Sequence, residues 1–281
     1  MSKSYFIVGA NGQLGTALRQ QYPDAKYADQ AELDITDKRS IEEFDWSGIE
    51  VIINTAAFTN VDGAETSEGR KLAWAVNADA VANLVAVSAQ HDMTLVHIST
   101  DYVFDGMELI HDEDESFAPL STYGASKAAG DLVVSLAPKF YILRTSWVIG
   151  DGNNFVRTML ELGQKGINPN VVNDQIGRLT FTNELVRAID HLLTDNPSYG
   201  TYNVTNGGLS ASWADITREI YKIAELDNTV TGISTAEYFQ DKVNIAIRPL
   251  QSTLNLDKIQ STGFESTDWV KELANYIKDS P

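Results

Sequence analysis

Residues 4–15 read Ser4-Tyr5-Phe6-Ile7-Val8-Gly9-Ala10-Asn11-Gly12-Gln13-Leu14-Gly15. The aromatic and β-branched run that ends at Val8 predicts a short strand, the glycines a tight turn, and residues 12–21 a helix. Strand, glycine turn and helix in that order suit a dinucleotide. Glycine adopts positive φ and admits a pyrophosphate close to backbone N–H groups, and the helix N-terminus adds partial positive charge. Gly9, Gly12 and Gly15 would also make an ordinary turn, and their place after the first strand of an α/β chain tips the balance towards the ligand.

Outward from this turn, apolar runs recur at 51–54, 95–99 and 141–145, separated by stretches of helical periodicity at 69–91 and 121–136. The runs are continuously apolar rather than alternating, as expected of strands buried on both faces. The expected fold is α/β, a Rossmann-type doubly wound parallel sheet with a smaller, mixed C-terminal substrate domain. Beyond 150 the pattern loosens: 154–165 and 182–193 read as helices, 170–173 and 202–204 as isolated strands. Residues 1–150 are expected to form the dinucleotide-binding part, with segments near 175–225 returning to it, and 151–281 an interleaved, mainly substrate-binding part.

The composition sets limits. The 281 residues, 43% of them hydrophobic, suffice for one large α/β domain or two closely packed ones. Twenty-one Lys and Arg against 39 Asp and Glu leave a net charge of -18, which argues against nucleic acid or an anionic membrane as partner. There is no cysteine, so disulfides and thiolate chemistry are excluded, and four scattered histidines offer little for a metal. The first residues lack a signal-peptide core and no stretch reaches the roughly 18 apolar residues of a membrane span. A cytoplasmic protein is expected.

Two further patterns bear on chemistry. Tyr123-Gly124-Ala125-Ser126-Lys127 puts a phenol and an ammonium one helical turn apart, and a lysine cation is expected to pull the phenol below its ordinary pKa of about 10. Val96-His97-Ile98-Ser99-Thr100-Asp101-Tyr102 places hydroxyls at the end of a strand, where open α/β sheets hold ligands. Alone, each has a plain alternative: an exposed Tyr–Lys pair, and a Ser-Thr-Asp turn cap. On the dinucleotide, Asp29 lies where a ribose-binding acid is expected for NAD, Asp34 competes for that role, and Arg19 or Lys26 suits the 2′-phosphate of NADP. NADPH and NADH both stay open.

The set Gly9-x-x-Gly12-x-x-Gly15, Asn54-Thr55-Ala56-Ala57, Asn77, Asn83-Leu84, Ser99-Thr100 and Tyr123-x-x-x-Lys127 resembles the extended short-chain dehydrogenase/reductase family. Within it, Ser99 to Gly106, Arg144-Thr145-Ser146-Trp147-Val148, Asn153-Asn154-Phe155-Val156, Asn173-Asp174-Gln175-x-Gly177 and Arg248-Pro249 are similar to the branch that reduces a 4-keto sugar carried on dTDP. The resemblance covers essentially the whole chain. It implies reduction of the C4 ketone of dTDP-4-dehydro-L-rhamnose, with Tyr123 protonating the oxygen, Lys127 tuning Tyr123 and holding the nicotinamide ribose, and Thr100 orienting the carbonyl. It further implies substrate contacts from Thr100, Asp101, Trp147 and, for the phosphates, Arg248. Dinucleotide contacts would come from Gly9, Asn11, Gly12, Gln13, Leu14, Gly15, Asp34, Ile35, Ala56, Ala57 and Thr59, with Tyr123 and Lys127.

Two departures and alternatives accompany the resemblance. Some relatives form a magnesium-linked dimer through glutamates whose places fall here on Ala17 and Asn183, so no structural metal and a monomer or weak homodimer are expected. The same motifs would serve a reductase or epimerase of another nucleotide-linked keto sugar. A non-catalytic subunit like the β subunit of methionine adenosyltransferase is disfavoured by the intact Thr100, Tyr123 and Lys127. The acidic, irregular segments 105–119 and 227–244 are expected to order on substrate binding.

Overall fold

The computed structural model describes residues 4–279 and is built on a six-stranded sheet. In spatial order its strands are Gly200–Asn203, Phe140–Thr145, Thr94–Thr100, Val51–Asn54, Tyr5–Val8 and Lys26–Ala28, all parallel. The chain runs from Tyr5–Val8 to one edge and then returns to build the sheet in the other direction, so the strand order reverses beside Tyr5–Val8. A crevice opens there at the C-terminal ends of the strands, where doubly wound sheets bind ligands.

Alternate side chains of the buried strands supply two cores. Ile7, Ile53, Val96, Tyr141 and Leu143 face the helices Gln13–Gln21 and Thr182–Asp195. Phe6, Val8, Ile52, Leu95 and Ile142 face Ala80–Gln90 and the loop around Trp46. Burial of each such side chain contributes roughly 2 kcal/mol. The second strand, hard to read in Lys26-Tyr27-Ala28, is a short edge strand with Lys26 and Tyr27 exposed, which accounts for its weak pattern.

The predicted helix at 69–91 is a continuous run, Ser67–Trp74, a π-turn at Ala75–Asp79, then Ala80–Gln90. By length and composition alone the run Ser67–Gln90 is apolar enough to cross a membrane, contrary to the reading above; here Ala80, Val81 and Leu84 are fully buried on the sheet. A second correction concerns 202–204. It is no isolated strand: Gly200–Asn203 is the sixth strand of the sheet, paired with Phe140–Thr145 across the intervening residues 146–199, a pairing that no local pattern reveals.

Residues from Ile149 onward build a third core, in which Val156, Met159, Val171, Leu179, Phe181, Ile220, Tyr221 and Trp269 meet. The helix Trp213–Ile223 starts at a capping box formed by Ser212 and Asp215. Within 105–119, residues 111–115 are pinned while Met107, Leu109 and Ile110 stay exposed: His111 is fully buried, stacks on Phe104 and bonds Glu115 and the Gln251 carbonyl, and Glu113 accepts from the Asn203 N–H.

Candidate active site

The glycine turn enters the crevice from Tyr5–Val8. Gly9 has φ +77°, and a Cβ on Gly15 would come within 2.3 Å of the Gly9 carbonyl, so the helix Gln13–Gln21 can begin this close to the strand only without one. Gly12 caps that helix with no side-chain hydrogen bond, which leaves its first N–H groups free of a side-chain acceptor at the cavity wall. A pyrophosphate fits this donor set.

Two adjoining cavities share Gly12, Thr55 and Ala57. The first, of about 490 Å³, is lined by Gly12, Gln13, Leu14, Gly15, Ala57, Thr59, Thr100, Asp101, Tyr123, Lys127 and Trp147. The second, of about 410 Å³, is lined by Gly9, Gly12, Asp29, Asp34, Ile35, Ala56 and Ala57. Of the residues carried over for the dinucleotide, only Asn11 stands outside both; its side-chain oxygen accepts from Arg19, which lies 4.2 Å above the Tyr27 ring. Asn83 donates to the Ile35 carbonyl and Asn77 ties Phe58 to Ser126, so these two asparagines hold the wall of the crevice.

At the floor, Thr100 ends its strand and caps the short turn Asp101–Val103, accepting from the Tyr102 N–H and donating to Asp101 Oδ1 at 3.0 Å. Tyr123 lies in the helix Thr122–Val134 with its ring edge-on to Tyr102. Burial, joined by the Asp101 charge, pushes the Tyr123 phenol above its ordinary range, the reverse of the lowering expected from Lys127. Lys127 is itself only 2% exposed, donates to the Ile98 carbonyl at 2.6 Å, and is drawn down to about 8 by burial. Desolvation is the largest cause of both shifts. The phenol is therefore protonated at neutral pH and suited to give a proton.

Asp101 is 2% exposed, and burial lifts its carboxyl to about 6 against the Ser252 and Thr100 hydroxyls, which hold it down. Its pKa is higher in the folded chain than in the unfolded chain, so stability is undiminished below about 4 and falls as pH rises from there to about 6. Asp101→Asn, whose amide oxygen still accepts from Thr100, is expected to stabilise the protein by about 1–3 kcal/mol at pH 7 and by almost nothing at pH 4. Urea melts at the two pH values would test this, and equal effects at both would refute it.

Beyond Trp147 lies a third cavity, of about 330 Å³, lined among others by Asp62, Phe155, Gln175, Trp213, Tyr238, Phe239, Lys242 and Arg248. Trp147 has φ 48°, uncommon for an aromatic residue, and stacks on Trp213 at 3.8 Å against Gly177. Gln175 accepts from the Trp213 indole and donates to Thr235, and Asp174 accepts from Thr235, so the motif around Asn173 anchors the helix Thr235–Phe239. Arg248 pairs with Asp62 at 2.8 Å and lies over the Phe239 ring. Phe155 stands in the quoted string Asn153-Asn154-Phe155-Val156, whereas the sequence singles out none of Trp213, Tyr238, Phe239, Lys242 and Asp62. Their only signals are scattered aromatic residues, brought together by four separate elements. Ala17 and Asn183 line one surface cleft, where Asn183 donates to Glu272.

A dinucleotide-shaped crevice that ends on a hydroxyl, a protonated phenol and a buried lysine, with an aromatic and cationic pocket alongside, defines an oxidoreductase working on a nucleotide-linked substrate. The model of the RmlD substrate binding domain family matches residues 3–281. A dTDP-4-dehydrorhamnose reductase of Aggregatibacter actinomycetemcomitans is 38% identical over 96% of both chains. Among solved structures, the dTDP-4-dehydrorhamnose reductase of Clostridium acetobutylicum has 37% identity and a TM-score of 0.91 over 98% of each chain. That of Bacillus anthracis, in complex with NADP, has 35% identity and a TM-score of 0.91 over 100% of each chain. The chain belongs to the dTDP-4-dehydrorhamnose reductase family.

Proposed function

We propose that this protein reduces the C4 ketone of dTDP-4-dehydro-L-rhamnose to dTDP-L-rhamnose, using NADPH or NADH, in dTDP-rhamnose and cell-surface polysaccharide biosynthesis. The observation that carries this reading is one cavity whose wall combines the glycine turn with Thr100, Tyr123 and Lys127 and whose rim is Trp147. The bound dinucleotide supplies the hydride. The turn from Gly9 to Gly15 and the helix behind it hold the pyrophosphate, and Ala56, Ala57 and Thr59 complete the groove. Asp34 and Ile35 line the adenosine end.

Thr100 turns its hydroxyl proton from Asp101 to the substrate carbonyl and orients it. Tyr123, kept protonated by burial, gives its proton to the oxygen as negative charge develops there. Lys127 binds the nicotinamide ribose and stabilises the tyrosinate that results. Asp101 and Trp147 contact the sugar. Arg248, with Lys242 and the rings of Trp213 and Phe239, holds the dTDP group: the guanidinium suits phosphate bidentately and the rings suit a base.

The test is a coupled assay in which dTDP-4-dehydro-L-rhamnose is generated enzymatically and the loss of NADPH or NADH absorbance is followed. Oxidation with dTDP-L-rhamnose as the product is the expected result. No oxidation with either dinucleotide, in a folded sample that still binds one, would sink the assignment.

A further inference from the structure

Behind the cavity, Asn54, His97 and Lys127 form a chain in which they are 1%, 0% and 2% exposed. Its polarity is set from one end. The Ala56 N–H can only donate, and it donates to Asn54 Oδ1 at 3.1 Å, which turns the Asn54 amide nitrogen to His97 Nδ1, also at 3.1 Å. Nδ1 therefore accepts, the proton of the neutral imidazole resides on Nε2, and Nε2 stands 3.3 Å from Lys127 Nζ. Nζ also donates to the Ile98 carbonyl. An ammonium has three donors and no lone pair and would meet Nε2–H donor to donor, whereas an amine accepts that hydrogen.

We propose that His97 is a positioning residue for the reaction assigned above, destabilising the Lys127 ammonium through Nε2–H and so lowering the pH at which Lys127 loses its proton, with Asn54 setting the imidazole tautomer. The inference rests on the reading of Lys127 as the group that binds ribose and stabilises tyrosinate. Burial acts in the same direction on both groups, lowering Lys127 to about 8 and His97 well below its ordinary value. The other charged and titratable groups around Lys127 are Tyr123 and Asp131, one turn to either side on its own helix. Asp131 raises Lys127 and is itself paired with Arg144 from the strand Phe140–Thr145. His97 thus sets the pH at which Lys127 changes charge, and with it the basic limb of the rate profile.

Asn54→Asp tests the tautomer logic. A carboxylate still accepts from Ala56, but it also demands a proton on His97 Nδ1, so that Nε2 accepts from a Lys127 ammonium. In kcat and NADPH-binding profiles of the full chain acting on dTDP-4-dehydro-L-rhamnose, the basic limb of N54D is expected to move up by roughly one pH unit. In a His97→Phe background, which cannot pass on the change, the same substitution is expected to move it by less than half as much. A uniform loss of rate with no movement of the limb would overturn the proposal, as would an equal movement in both backgrounds. Lys127→Met separates the two readings. If it abolishes the limb while N54D leaves it in place, only the His97 proposal falls; if the limb survives K127M, the reading of Lys127 falls and takes the proposal with it.

Discussion

Tyr123→Phe is expected to lower kcat for ketone reduction about 10³-fold while leaving the Kd for NADPH within about twofold of wild type. General acid catalysis by a positioned side chain is worth about 10²–10⁴-fold, and about 10³-fold corresponds to roughly 4 kcal/mol of barrier. The structure supports a clean loss of the proton donor. The ring stays in edge contact with Tyr102 at 5.6 Å, so packing survives removal of the hydroxyl. Burial keeps the phenol protonated across the neutral range, and wild type should show no limb from Tyr123 between pH 6 and about 9. Stopped-flow turnover and fluorescence titration with NADPH measure the two quantities. A variant that keeps more than about a tenth of kcat would rule out Tyr123 as the proton donor.

The second large effect is on stability. Arg144 Nε donates to Asp131 Oδ2 at 2.9 Å with the side chains 4% and 1% exposed, and the guanidinium also donates to the Glu113 carbonyl and lies over the Phe104 and Phe117 rings. Arg144→Met removes one partner and leaves a buried carboxylate uncompensated, which typically costs about 3–5 kcal/mol. In a protein of this size that is a fall in Tm of roughly 6–20 °C. Burial already pushes the Asp131 carboxyl above its ordinary value, and loss of Arg144 removes a group that holds it down. Protonation of Asp131 then relieves the variant, so its deficit is expected to be smaller at pH 5 than at pH 8. The double variant Arg144→Met with Asp131→Leu is expected to recover more than half of the loss. Thermal and urea melts at both pH values decide the matter; a loss below about 1 kcal/mol for R144M would show that the pair contributes little.

Arg144 also shows that a motif residue can serve the scaffold rather than the cavity. It stands in the quoted string Arg144-Thr145-Ser146-Trp147-Val148, yet its partners come from the helix Thr122–Val134 and the pinned loop at 113, and it supports the helix that carries Tyr123 and Lys127. The strand–turn–helix at the N-terminus was legible because every cue in it is local: apolar run, glycines, helix start. Four of the six sheet strands were legible for the same reason. Lys26–Ala28 was not, since an edge strand buries one side chain in three, and the place of Gly200–Asn203 was not, since pairing is a property of two segments. Thr100, Tyr123 and Lys127 could be gathered by spacing and resemblance, but the ionisation of Tyr123 and Lys127 could not.

The glycine turn, the parallel α/β pattern, the Tyr-x-x-x-Lys spacing and the absence of thiol chemistry were determined by the sequence itself, because each depends on residue types within one or two turns of chain. Only the tertiary structure decided that Tyr123 is held protonated, that Lys127 faces His97, that Arg248 answers Asp62, and that Trp147 stacks on Trp213. These depend on desolvation and on partners far along the chain, and the cost of burying a charge is a property of the closed interior rather than of the residue that carries it.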